Sequence, residues 1–167
     1  MTPAGTISGA DGAGAKVGYP SIWRPAYAYV PGRSPRHDDD LFDPIKATVT
    51  PGPADLSRSQ VWRMGLDFLT DGYFWESHEL LESVWMACPP NSAESLLVRA
   101  IIQYANAGLK WEMGRPAAAA RLLGLAEAMG RDAFGRGGVV ILGLRQDDLD
   151  QLAKTVSVRQ NVKNIAL

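Results

Sequence analysis

The sequence is poor in the residues that most often carry chemistry. Its 167 residues include one cysteine, Cys88, and only two histidines, His37 and His78. A lone cysteine excludes an internal disulfide bond. The first residues also lack the basic start and the apolar core of a signal peptide. These absences predict a cytoplasmic protein.

Charge of one sign and long apolar runs are missing as well. The formal net charge is -1, so nothing in the charge balance favours binding to nucleic acid or to an anionic membrane surface. No apolar run approaches the roughly 20 residues that a membrane-spanning helix needs. The 46% hydrophobic and 21% charged content is typical of a globular chain. We therefore expect a soluble domain whose partners are neither nucleic acid nor membrane.

Proline is concentrated in one part of the chain. Eight of the eleven prolines precede residue 54, where they alternate with glycines, and such a segment does not sustain regular elements. We predict an irregular N-terminal arm over 1–54, mobile up to about residue 18. Its second part, PSIWRPAYAYVPGRSP, is too apolar for a free tail. We expect that part to lie extended against the helices.

The rest of the chain, 55–167, has helical patterns and predicts an all-α fold. We expect one domain of about five helices, each with recognisable start or stop residues. The first predicted helix begins at Ser57 or Ser59 and ends at Gly72. The next three run from Tyr73 to Ala87, from Ser92 to Met113 and from Pro116 to Gly130, and the fifth begins near Asp147.

The segment YFWESHELLESVWMAC at 73–88 places a histidine and three glutamates among large apolar residues. At about 100° per residue, His78 and Glu82 fall between two apolar groups of the predicted helix. We expect both to be partly buried and hydrogen bonded. Glu76, Glu79 and Ser83 are predicted to point outward, so the two glutamates would only solubilise the outer face.

The next predicted helix is apolar almost all round and has one narrow polar stripe. If that stripe faces the previous helix, Glu82 pairs with Arg99 and His78 with Gln103. Trp75, Trp85 and Tyr104 would add aromatic walls to the same site. The stripe consists of Arg99, Gln103, Asn106 and Lys110.

Several stretches of the chain resemble a known family. DGYFWESHELLESVW resembles the segment G-x-(Y/F)-(Y/F)-E-x-H-E-x-x-E-x-x-W of the domain of unknown function family 309, whose members are helical. IIQYANAGLKWEMGRPAAAARLL and PAYAYVPGRSP resemble its later helices and its upstream arm, so the resemblance covers roughly 25–125. After the arm's second proline the family pattern has His-Pro, whereas this chain has Pro35-Arg36-His37. The resemblance implies a helical fold and no reaction.

Three functions remain open. The preferred one is a binding module for an unknown small molecule or protein, without a cofactor. The second is a metal half-site at His78 and Glu82, completed by His37. The third is a metal-assisted or acid/base hydrolase that uses His78, Glu79 and Glu82. Whether the protein is an enzyme, and whether it forms a homo-oligomer, stays open. The binding residues would be His78, Glu82, Arg99, Gln103, Trp75, Trp85 and Tyr104.

Overall fold

The computed structural model describes residues 23–165, and in this part of the chain there are seven helices and no strand. The predicted all-α class is confirmed. The helices are α1 Asp43–Lys46, α2 Pro53–Arg58, α3 Gln60–Asp71, α4 Phe74–Ala87, α5 Ala93–Glu112, α6 Pro116–Gly137 and α7 Gln146–Ile165.

The two helices beyond the expected number are the short α1 and α2, which lie in or begin within the proline-rich arm. Each has its proline in the first turn, at Pro44 and Pro53. Proline is tolerated there because the amide it lacks has no partner within the helix. High proline content therefore did not exclude short helices from this segment.

Several predicted helix ends are confirmed. The hydroxyl of Ser59 accepts a hydrogen bond from the amide of Trp62 at 3.1 Å, and Ser92 caps α5 in the same way. Gly72 ends α3 with a φ of 87°, in the left-handed region that glycine reaches without strain. These caps separate α3, α4 and α5.

The predicted end of the fourth helix at Gly130 is wrong, because α6 continues to Gly137. Gly130 is buried within the helix, and a Cβ at this position would lie 2.4 Å from Cδ2 of Leu149 in α7. This glycine is needed for close helix packing and not for a stop.

The core holds α4 between α3 and α5, while α5 also packs on α6 and α7. Close approach at both faces of α4 depends on glycine. A Cβ on Gly65 would lie 2.5 Å from Leu81, and one on Gly108 would lie 2.4 Å from Phe74. The polar residues of α4 therefore lie near two different helices, α3 and α5. No helix within 23–165 has the length and apolar character that crossing a membrane requires.

The described part of the arm packs on α3 and α4. Arg24 forms an ion pair with Asp71 at 2.6 Å, and its guanidinium lies over the ring of Phe68 at 4.9 Å. Further along, the rings of Tyr29 and Trp75 meet edge to face at 5.2 Å. The prediction of mobility up to about residue 18 lies outside the described residues.

Candidate functional site

The glutamate that the sequence places on the outer face of α4 is the most buried one. Glu76 has no exposed surface. Its Oε1 accepts hydrogen bonds from the backbone amide of Tyr29 at 2.6 Å and from Nε2 of His37 at 2.7 Å. Its Oε2 is buried without a hydrogen-bond partner among the described residues. The outward prediction for Glu76 is wrong, because the arm covers the side of α4 that an isolated helix would expose.

The partner of Glu76, His37, sits in an aromatic environment. Only 6% of its side chain is exposed, and its ring stacks on Tyr27 at 4.8 Å and lies 5.8 Å from Trp75. A carboxylate without a proton only accepts hydrogen bonds, so Nε2 of His37 carries the donated proton. Because His37 is bound here, it does not join His78 and Glu82. The group of metal-ligating side chains within the described residues contains His78 and Glu82 but not His37.

Glu79 has a structural partner as well. Its Oε2 accepts a hydrogen bond from Nζ of Lys46 at 2.9 Å, and both side chains are about three-quarters covered, at 27% exposure. This ion pair connects α1 to α4. The expectation that Glu79 only solubilises the outer face is wrong for the same reason as for Glu76: the arm returns over this side of the helix.

A recess of about 170 Å³ opens between α4 and α5. The polar stripe of α5 thus faces the His78 and Glu82 side of α4, which is the geometry that helical spacing predicts. We call this space the α4/α5 recess. It is lined by His78, Glu82, Trp85, Arg99, Ile102, Gln103 and Asn106.

His78 is held in the recess by a short chain of amides. Its Nδ1 lies 2.7 Å from Oδ1 of Asn106, whose Nδ2 donates to Oε1 of Gln103 at 3.3 Å. The predicted direct contact between His78 and Gln103 is therefore replaced by one that runs through Asn106. Since an amide oxygen only accepts, Nδ1 of His78 donates this hydrogen bond.

The predicted ion pair between Glu82 and Arg99 is not formed. In the part of the chain that the structure describes, no nitrogen of Arg99 lies within 4.0 Å of a carboxylate oxygen of Glu82, and neither side chain has another hydrogen bond or ion pair. The recess therefore holds one acidic and one basic side chain that do not neutralise each other.

The three predicted aromatic walls belong to different places. Trp85 lines the recess, and its indole nitrogen donates to the hydroxyl of Ser95 at 3.0 Å, which fixes the ring. Trp75 lies under the arm, beside His37 and Tyr29. Tyr104 lines a separate cavity that α7 also borders. Helical spacing alone does not separate these sides, because α4 and α5 are each covered by more than one neighbour.

One group of metal-ligating side chains occurs within the described residues. A ring nitrogen of His78 and one carboxylate oxygen each of Glu79 and Glu82 lie within 4.8 Å of one another. These are the residues that the sequence suggests for a hydrolase. Glu79 already has Lys46 as a partner, so a metal ion would compete with that ammonium group.

Sequence analysis missed the contact of Glu76 with the arm. A signal was present, because Glu76 is the first glutamate of the E-x-H-E-x-x-E motif and the arm supplies one of only two histidines. It missed Lys46 altogether, since nothing in the sequence indicates that α1 returns to α4.

Comparison with known families supports part of this description. The family model described as "Domain of unknown function (DUF309)" matches residues 62–122, which run from α3 through α4 and α5 into α6. The match confirms the family resemblance for this segment, which contains every residue of the α4/α5 recess. Searches of curated proteins and of solved structures gave no match.

Proposed function

We propose that the DUF309 segment is a binding module whose α4/α5 recess takes a small amphoteric molecule. In this arrangement Arg99 contacts an anionic group of the ligand, and Glu82 accepts hydrogen bonds from a cationic or donor group. The observation that carries the proposal is that these two opposite charges line one recess without pairing to each other.

The neighbours of the two charges support binding over structural use. In a structural ion pair the two side chains would bond to each other, whereas Glu82 and Arg99 leave their hydrogen-bonding groups free for another molecule. His78 is held in position by Asn106, and Trp85 by Ser95, so both present fixed surfaces. Such preorganisation lowers the entropic cost of binding.

The volume of the recess limits the ligand. At about 170 Å³ it is below the usual size of a site for a drug-sized molecule and close to that of a cavity that holds benzene. The bound part of the ligand therefore has roughly six to eight non-hydrogen atoms.

Nuclear magnetic resonance titration tests the proposal. Glycine and β-alanine serve as amphoteric probes, with acetate and ethylammonium as probes of single charge. We expect the amphoteric probes to shift the indole N–H resonance of Trp85, assigned with Trp85→Phe, at lower concentration than either singly charged probe.

Charge-neutral variants locate the binding. Glu82→Gln and Arg99→Gln should each weaken the response, while Asp67→Asn and Arg63→Gln, which make the same changes on exposed residues of α3, should leave it unchanged. An absent shift with the amphoteric probes, or equal losses in the control variants, would contradict the proposal.

A second function is favoured by one observation, the clustering of His78, Glu79 and Glu82. We infer that a divalent ion bound there would activate water for hydrolysis, with the three side chains as its ligands. Elemental analysis and equilibrium dialysis with Zn²⁺ and Mn²⁺ test this function. Near-stoichiometric metal that is lost in His78→Ala and kept in Asp55→Asn supports it; metal-free protein that takes up neither ion rejects it.

We also infer a cytoplasmic location. The cysteine Cys88 is free and buried, which suits a reducing compartment. Separate fractionation of cytoplasm and membrane, followed by detection of the protein, tests this inference.

A further inference from the structure

A larger cavity, of about 640 Å³, is bordered by α5, α6 and α7. Its volume lies in the range of small-molecule sites. Tyr104, Leu149 and Ala153 form its less polar part. Glu127 and Arg131 of α6 and Asp150 and Lys154 of α7 supply charges. We call this space the α7 cavity; it shares no residue with the α4/α5 recess.

The most informative residue of the α7 cavity is Tyr104. Only 2% of its surface is exposed, yet its hydroxyl makes no hydrogen bond with any residue that the structure describes. The hydroxyl oxygen is not among the fully buried polar atoms that lack a partner, so it is open to the cavity that Tyr104 lines. A ligand in this cavity can therefore form a hydrogen bond with the hydroxyl group of Tyr104.

The charges around Tyr104 indicate the sign of that ligand's charge. Burial, then Glu127 and Asp150, raise the pKa of Tyr104, Arg131 lowers it, and the result is about 12. Both carboxylates therefore act on the phenol of Tyr104. Neither forms an ion pair within the described residues, although Arg131 and Lys154 follow them at a spacing of four residues.

We propose that the α7 cavity binds a small organic ammonium compound, with its nitrogen beside the hydroxyl of Tyr104 and between Glu127 and Asp150. An ammonium group has donors only, and the phenol oxygen and the two carboxylates all accept. The apolar part of the compound contacts Leu149 and Ala153. Binding here is independent of binding in the α4/α5 recess.

Titration of the full-length protein with three probes of similar size tests the proposal. The probes are butylammonium, butanol and pentanoate, and the readout is the ring resonance of Tyr104 in protein with ¹³C-labelled tyrosine. We expect butylammonium to shift this resonance at the lowest concentration. Tighter binding of pentanoate would assign the cavity to anions through Arg131 and Lys154, and no shift with butylammonium would mean that the cavity does not take ammonium compounds; each result overturns the proposal.

Substitutions test which side chains of the α7 cavity contact the ammonium compound. Tyr104→Phe removes only the hydroxyl and should weaken butylammonium binding, measured by calorimetry, about tenfold. Tyr27→Phe makes the same change on the arm and should have no effect. Glu127→Gln, at an exposed position that tolerates substitution, and Asp150→Asn should each weaken binding as well. Unchanged affinity in Tyr104→Phe or in Glu127→Gln overturns the proposal.

Discussion

A buried carboxylate is costly unless its oxygens receive hydrogen bonds, and in Glu76 those bonds are concentrated on one oxygen. One oxygen receives two short hydrogen bonds, from His37 and from the amide of Tyr29. Removing one member of such a pair leaves the others desolvated, which costs more than the pair itself contributes. The fold therefore depends on a residue that helical periodicity assigns to the surface.

The first prediction compares two glutamates of the motif. Glu76→Ala should lower the free energy of unfolding by about 3 kcal/mol, because His37 and the Tyr29 amide would lose their acceptor. Glu82→Ala should change it by less than about 0.5 kcal/mol, because Glu82 has no partner in the described chain and is partly exposed. Urea titrations of both variants measure the difference. Equal destabilisation by the two variants would show that Glu82 belongs to a structural network after all.

The second prediction concerns stability at high pH. Burial holds the pKa of Tyr104 at about 12, against 10.0 for an ordinary tyrosine, so the unfolded chain releases this proton first as pH rises. The contribution of Tyr104 to stability is thus fully present below pH 10 and is lost between pH 10 and pH 12. The loss is on the order of 3 kcal/mol. Denaturant titrations at several pH values should show it in the wild type and not in Tyr104→Phe, and parallel curves for the two proteins would contradict it.

The third prediction uses the lone cysteine. Burial, together with the negative charge of Glu94, raises the pKa of Cys88 to about 11, so almost no thiolate exists at pH 8. Native protein should therefore react with a disulfide reagent only as fast as the end of α4 opens. Reaction should become rapid in denaturing urea. Rapid labelling of the native protein at pH 8 would contradict the burial of Cys88.

At the scale of elements, sequence periodicity predicts the long helices well because caps and breakers are local. Ser59, Gly72 and Ser92 act within one turn of their own position, so their roles follow from the sequence. The roles of Gly108 and Gly130 do not, because each depends on a side chain from another helix, Phe74 and Leu149 respectively. The sequence alone therefore does not distinguish a glycine required for packing from a glycine that ends a helix.

The fourth prediction separates two helical glycines. Gly108→Ala should destabilise the protein by about 1–3 kcal/mol, because its Cβ would lie 2.4 Å from the ring of Phe74 between α4 and α5. Gly124→Ala, the matched change in α6, meets no atom within 4 Å and should stabilise the protein by about 0.5–1 kcal/mol. Thermal and urea unfolding of the two variants measure both changes in the free energy of unfolding. A stable Gly108→Ala variant would mean that the α4–α5 contact adapts easily.

At the scale of the whole molecule, the sequence predicts which helices exist and that the stripe of α5 faces α4. It does not predict which side of α4 the arm covers, since that depends on chain segments far apart in sequence, 37 and 76 in one case and 46 and 79 in another. Most of the candidate site therefore follows from spacing, because five of the seven predicted residues line one recess: His78, Glu82, Trp85, Arg99 and Gln103. The hydrogen-bond partners of these residues do not follow from spacing, because they depend on how the side chains pack.

The fifth prediction is that the contact with Glu76 anchors the arm more strongly than the contact with Asp71 does. Glu76 is buried with His37 and the Tyr29 amide, whereas the Arg24–Asp71 pair has 23% and 48% of its side chains exposed, and exposed pairs contribute less than about 1 kcal/mol. In hydrogen exchange, Glu76→Gln should therefore accelerate exchange over 27–34 about tenfold or more and leave α5 and α6 unchanged. Asp71→Asn, the matched loss of one carboxylate, should leave 27–34 slow. Fast exchange over 27–34 in the wild type, or a larger effect from Asp71→Asn, would place the main anchor of the arm elsewhere.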